Sequence, residues 1–214
     1  MSETVPIREL WYINKRKWLN RFIAAATKLP NMDTEPVSHC EVWEKLPERP
    51  FSWETQPKTT TRFSGNLWTS TTRGKANGTV VRPAAGVLDH PENWYYTEHE
   101  VKKSAFDYAK AQAQKRRGKT YSWRDLFRYI MPLWLLKKTG VADNGRWICS
   151  EDRAQWFVDM MYAGQLFRTN YYKTNKIPSP RRDCKQTVLA TGSPLRRLVD
   201  NSIVRDGNWV KQGK

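Results

Sequence analysis

Apolar residues recur every three to four positions from Ile7 to Leu29, whereas from Val37 to Trp43 the chain alternates between two faces, one of them polar at its middle. A chain whose hydrophobic period changes in this way must pack helices against a sheet. Leu10, Ile13, Trp18, Phe22, Ala25 and Leu29, with Lys and Arg between them, predict an amphipathic helix over 7–29 that Pro30 ends. Val37, His39, Glu41 and Trp43 share one face of a predicted strand, with Ser38, Cys40 and Val42 on the other. The stretch 44–61, with three Pro, reads as an irregular excursion. Phe63 to Thr72 is the next strand, and RGKANG turns the chain into TVVR, which Pro83 closes; this predicts an antiparallel pair or meander. Helical period returns from Thr97 to Lys115, with Val101, Ala105, Tyr108, Ala109 and Gln112 on one side and Gly118 as the stop. A shorter helix over 121–136, broken near Pro132, and a loop over 140–145 follow. Trp147 to Gln165 is a short approach and then a helix, with Ser150 as N-cap, Arg153 at the third position, and Glu151 and Asp152 in the first turn. The expected class is α+β, an antiparallel sheet packed against helices.

Eleven Trp and nine Tyr among 214 residues supply a folded core and exclude wholesale disorder. The pattern predicts a single domain over 1–172. From 173 to 214 ten Lys or Arg face three Asp, which predicts a basic peripheral segment and tail. The formal net charge of +16 favours an anionic polymer such as peptidoglycan, acidic lipid or nucleic acid as partner, nucleic acid being the weakest of these expectations. WYINKRKW and FRTNYYK interleave rings with bases as a strand-stacking surface would, but they read first as docked segments whose cations reach outward. Cys40, Cys149 and Cys184 are odd in number and fit no zinc spacing, so folding in the cytoplasm is expected. The first residues lack the charged-then-apolar order of a signal peptide, and the most apolar run, IMPLWLL, is too short to cross a bilayer. His90 and His99, nine apart, match no metal spacing and are expected on loops and surface. The glycines of RGKANG match no phosphate-cradling pattern.

The segment WICSEDRAQWF places Cys149 at the mouth of a helix. Unpaired backbone N–H groups and partial positive charge there lower a thiol pKa and can hold an oxyanion, although a lone Cys in this position is more often structural. His39 is the candidate general base, held mid-strand, and Glu41 lies two residues on along the same face, where it can fix the ring or serve as an ordinary strand carboxylate.

SHCEVW at 38–43, followed by LWTSTTRGKANGTVVRP, GKTYSWRDLF and WICSEDRAQWF, resembles the permuted NlpC/P60-like papain-fold cysteine peptidases and amidases, in which the His-bearing strand precedes the Cys-bearing helix. The resemblance spans about residues 15–165 and is similar to small phage and bacterial members. It implies a circularly permuted papain-like fold, Cys149 as nucleophile, His39 as base, no cofactor, and a third polar residue that orients the imidazole. Here that residue is Glu41, or a hydroxyl such as Ser70 or Thr71. Ser122 stands where the family's Tyr-Asp pair has its acid, and Cys40 stands at an aliphatic position and reads as a core thiol. The implied reaction is cleavage of an amide or ester through a thioester, on a cell-wall stem peptide, an isopeptide or a lipid ester. Two other expectations stand beside it: a non-catalytic phage virion protein that keeps the scaffold and binds other virion proteins, and a nucleic-acid-binding protein.

Overall fold

The computed structural model describes residues 3–13, 37–44, 63–72, 77–122, 147–168 and 180–204. Most of the predicted first helix, the proline-rich excursion, the helix over 121–136, the loop over 140–145, the two aromatic–basic runs and the end of the tail lie outside them.

Thr4–Tyr12 is a strand, β1, where the sequence predicts the opening of a helix. Ile7, Glu9 and Trp11 are fully buried on one face, and Leu10 is fully buried on the other. The strand alternation is there, but a buried carboxylate interrupts its apolar face, so the segment imitates a helical stripe. β1 lies between β2 (His39–Glu44) and β5 (Trp94–Lys102), antiparallel to both, in the register Leu10↔Glu41 and Leu10↔Tyr96. β3 (Asn66–Thr71) and β4 (Gly78–Pro83) extend the sheet as the predicted antiparallel pair. A two-residue β6 (Arg196–Arg197) pairs with β5 at the opposite edge. Among the described residues the strand order is β4-β3-β2-β1-β5-β6, all antiparallel.

Three helices complete the α+β architecture among the described residues: α1 (Lys103–Arg116), α2 (Cys149–Tyr162) and α3 (Pro180–Thr191). α1 begins six residues later than the period predicts, because Thr97 to Lys102 belong to β5. Thr97 and His99 follow the strand period on the inner face but are polar, which hides the alternation, as Glu9 does in β1. The stop at Gly118 is observed, two residues past the helix and with φ +84°.

One sheet face carries Ile7, Val42, Trp68 and Val101 under Ala105, Phe106 and Ala109 of α1 and Trp156, Phe157 and Met160 of α2. The Trp156 ring meets Trp68 edge-on at 5.6 Å and Phe106 at 5.8 Å. The small Ala105, Ala109 and Ala113 allow α1 to lie close to its neighbours. The other face carries Leu10, Trp43, Leu67, Trp94 and Tyr96, closed by Ala84, Leu88 and Leu198. With both faces covered, even Glu41 at mid-strand is buried. Residues 180–204, which the sequence assigns to a peripheral segment, supply α3 and the β6 edge and bury Asp183, Cys184, Thr187, Leu195 and Leu198.

Gly78 joins these layers at the foot of β4. Its φ of +137° is open to glycine, and a Cβ there would sit 2.0 Å from the Lys119 carbonyl oxygen, the same oxygen that accepts from the Thr79 amide at 2.8 Å. Gly78→Ala must break this join, and a loss of more than about 1 kcal/mol is expected in urea unfolding. A variant that unfolds with the wild-type midpoint would contradict the strain.

Candidate active site

The start of α2 is fixed by backbone. Trp147 forms a parallel bridge with Tyr121; its carbonyl accepts from Ser70 Oγ on β3 at 2.6 Å and from the Ser122 amide at 3.1 Å. Held there, the chain leaves Trp147 extended, and Ile148 (φ −103°, ψ 164°) becomes the N-cap. The Asp152 amide closes the first turn on the Ile148 carbonyl at 3.0 Å. Cys149 is therefore the first residue of the helix, and the predicted cap is corrected by two positions. Ser150 lies inside the first turn with a buried, unpartnered Oγ, and Arg153 is the fifth helical residue. Glu151 and Asp152 do occupy the first turn.

Two buried arginines lock this helix in place. Arg116 of α1 donates to Asp152 at 3.1 Å and to Asp159 at 2.7 Å. Arg153 forks onto both oxygens of Asp183 on α3, approaches Glu9 of β1 at 3.4 Å, and stacks over Trp11 and Phe157. Burial pushes the carboxyls of Asp152 and Asp183 up to about 6, against the pull of their arginines. This ion network below the helix start has no counterpart in the sequence reading.

His39 is the first residue of β2 rather than a mid-strand residue. Its Nε2 lies 2.9 Å from Glu41 Oε1 and 3.4 Å from Thr69 Oγ1, and Trp94 flanks the ring edge-on at 6.5 Å. Of the three residues left open beside the imidazole, Glu41 is the one bonded to it; Ser70 spends its hydroxyl on Trp147, and Thr71 is buried further along β3. Arg82 of β4 reaches over β3 and also pairs with Glu41 Oε1. Thr69 and Arg82 were missed from sequence. Both share the His39 face once the register Trp43↔Leu67↔Arg82 is known, but no local pattern supplies that register.

Strand alternation sends Cys40 to the helix side and His39 and Glu41 to the other. His39, the first residue of β2, nonetheless bears on the Cys149 thiol. The Cys149 thiol is held well below its ordinary value by hydrogen bonding from the Cys40 thiol, and then by the charge and a hydrogen bond of His39, against the opposing effect of burial. The Cys40 amide adds a further hydrogen bond. Cys40 moves the other way, raised by burial and by the neighbouring Cys149 sulfur, so in the pair Cys149 is the thiolate and Cys40 the donor. Cys40 Sγ also lies 3.8 Å from Asp183 Oδ2. The sequence places Cys40 in the core, and it is buried there, but it also touches the candidate nucleophile. Cys149, Cys40 and Cys184 share one cluster with Trp11, Val37 and Leu195, and all three are free thiols.

The remaining histidines divide. His90 is exposed beside Glu92, as expected. His99 is not a surface residue: its ring packs against Phe157 and Phe167, 3.6 Å from Glu9, because its strand position faces the helices. Among the described residues no cluster of three or more His, Cys, Asp or Glu is arranged to hold a metal, and no helix is long and apolar enough to cross a membrane. No family model matches this chain, and it finds no match among the curated proteins or the solved structures.

Proposed function

We propose that the protein is a cysteine-dependent hydrolase or acyltransferase acting on an amide or ester carbonyl, with Cys149 as nucleophile and His39 as general base. The observation that carries this reading is the Cys149 thiol at the first residue of α2, held below its ordinary value by Cys40 and by His39, whose Nε2 is bonded to a buried carboxylate. Such a relay of thiol, imidazole and orienting acceptor is the minimum apparatus of acyl transfer.

Glu41 bonds Nε2 and holds the ring, and the imidazole takes the thiol proton. The thiolate attacks the carbonyl carbon, and the first amides of α2, which have no partner within the helix, stabilise the oxyanion. His39 returns its proton to the leaving group as the tetrahedral adduct collapses to a thioester. Water, or another acceptor deprotonated by the same imidazole, releases the acyl group. Cys149 is 4 % exposed, so the carbonyl must reach a recessed sulfur, which favours an extended peptide or acyl chain over a folded protein as substrate. Within that class the +16 charge suits anionic cell-wall stem peptides or acidic lipid. The permuted papain-like topology and a phage or bacterial setting belong to this proposal.

The test is alkylation of the native chain by iodoacetamide, with the sites mapped by mass spectrometry. Cys149 is expected to react faster than Cys40 and Cys184, because its thiol is held below its ordinary value while that of Cys40 is raised above it. A second reading, a scaffold protein without turnover, draws on the low exposure of the same sulfur. Equal and slow labelling of the three thiols would favour that reading and end the first.

A further inference from the structure

We infer that the cleft between β1, β5 and the turn after β6 binds a phosphate monoester, gripped by Arg8, Arg196 and Asn201. The site lies on the sheet face opposite α1 and α2, and it does not rest on the assignment of Cys149 and His39.

Strand parity builds the cleft. Arg8 stands two residues from Leu10, and Glu98 two from Tyr96, so all four share the face that α1 and α2 do not cover. The register sets Arg8 directly opposite Glu98, and Arg8 Nε donates to Glu98 Oε2. The guanidinium carbon lies 4.9 Å from the Trp43 ring centroid and 5.2 Å from that of Tyr96, contacts that hold the group in place. Pro194, Arg196 and Asn201 complete a cavity of about 330 Å³, within the size range of small-molecule sites.

The walls are rich in donors and poor in acceptors. Arg8 spends Nε on Glu98, and among the described residues its two Nη groups have no hydrogen-bond partner. Arg196 donates from Nη1 to the Asn201 carbonyl at 3.2 Å and has its other N–H groups to spare among the described residues. The Tyr96 hydroxyl donates to Asn201 Oδ1, which leaves Asn201 Nδ2 as a further donor. Asn201 is held at a left-handed φ of 62° while its amide donates to the Arg197 carbonyl at 2.9 Å. The neighbouring Asp200 carboxylate is engaged by Ser202 and Arg197 and does not line the cavity. Two guanidiniums against one carboxylate give the cleft a positive charge. Its donors come from β1, from β6 and from the turn beyond. Such separate walls suit a tetrahedral oxyanion, whose oxygens diverge, better than a planar carboxylate, which a single fork satisfies. The volume leaves room for the alcohol that carries the phosphate.

The experiment is calorimetric titration of the full-length chain with glycerol phosphate at low ionic strength, with folding of each variant checked by circular dichroism. Saturable one-to-one binding is expected. Arg196→Met and Asn201→Gly should each weaken it by about tenfold, the loss of one hydrogen bond to a charged group. Glycine takes the positive φ without strain, so Asn201→Gly keeps the turn and tests the amide alone. Arg117→Gln, an exposed position just past α1, removes the same charge outside the cleft and should leave the affinity unchanged. Inorganic phosphate should bind more weakly than the ester, and acetate more weakly still. Absence of saturable binding overturns the inference, and so does an Arg117→Gln loss equal to that of Arg196→Met, which would assign binding to the overall field. Inorganic phosphate or acetate binding as tightly as the ester overturns the monoester as occupant.

Discussion

Replacing Arg153 by Met should lower the unfolding free energy by about 3–5 kcal/mol at pH 7, and by less at pH 5. Arg153 is 1 % exposed and serves two fully buried carboxylates, Asp183 and Glu9. Methionine preserves much of the volume between Trp11 and Phe157, so the loss comes chiefly from stranding negative charge in the core. Burial already raises the Asp183 carboxyl from 3.8 to about 6, with Arg153 pulling it down; without Arg153 it rises further. A carboxyl raised in the folded state gives stability that is full below its unfolded pKa and is lost as pH rises through the folded one. The variant's deficit must therefore grow from pH 5 to pH 7, and Arg153→Met with Asp183→Leu should recover part of it. Urea midpoints at the two pH values check this. A deficit below about 1 kcal/mol, or one equal at both pH values, would assign Arg153 to packing alone.

The same buried ions explain where the sequence is legible and where it is not. β2, β3, β4 and α2 keep their periods clean on at least one face, and each stands within a few residues of its predicted place. β1 and β5 from Thr97 onward do not. Glu9, Thr97 and His99 occupy inward positions that a period-two reading expects to be apolar, so both segments were given to helices. Thr97 donates to Glu9 and His99 lies 3.6 Å from it, while Glu9 itself faces Arg153 on α2, far along the chain; a charge that is satisfied only in the tertiary structure leaves no local trace. The candidate site follows the same division. Cys149 and the pair His39 and Glu41 declare themselves by helix-mouth position and by spacing of two along a strand. Cys40 is legible only as a small core residue, and Thr69 and Arg82 depend on a strand register set across the sheet.

The pH profile of Cys149 alkylation separates His39 from the other influences on the thiol. A free cysteine titrates near 9, and reactivity follows the thiolate. With the folded value lowered, the parent chain should react well below pH 9 and lose reactivity only as the pH falls through that lowered value. His39→Ala removes both the nearby cation and the ring hydrogen bond, so the inflection should move up. Each unit of that move cuts the thiolate fraction tenfold at a pH below both values, so on that limb of the profile the reaction should slow by about tenfold per unit. The Cys40 hydrogen bond and the helix start remain in that variant, so the inflection should stop short of the free-cysteine value. Cys40→Ala should also raise the inflection, but leave the imidazole in place as proton acceptor. If His39→Ala reproduces the parent profile while Cys40→Ala shifts it, the acidity belongs to the thiol pair and the helix mouth, and His39 is not the base.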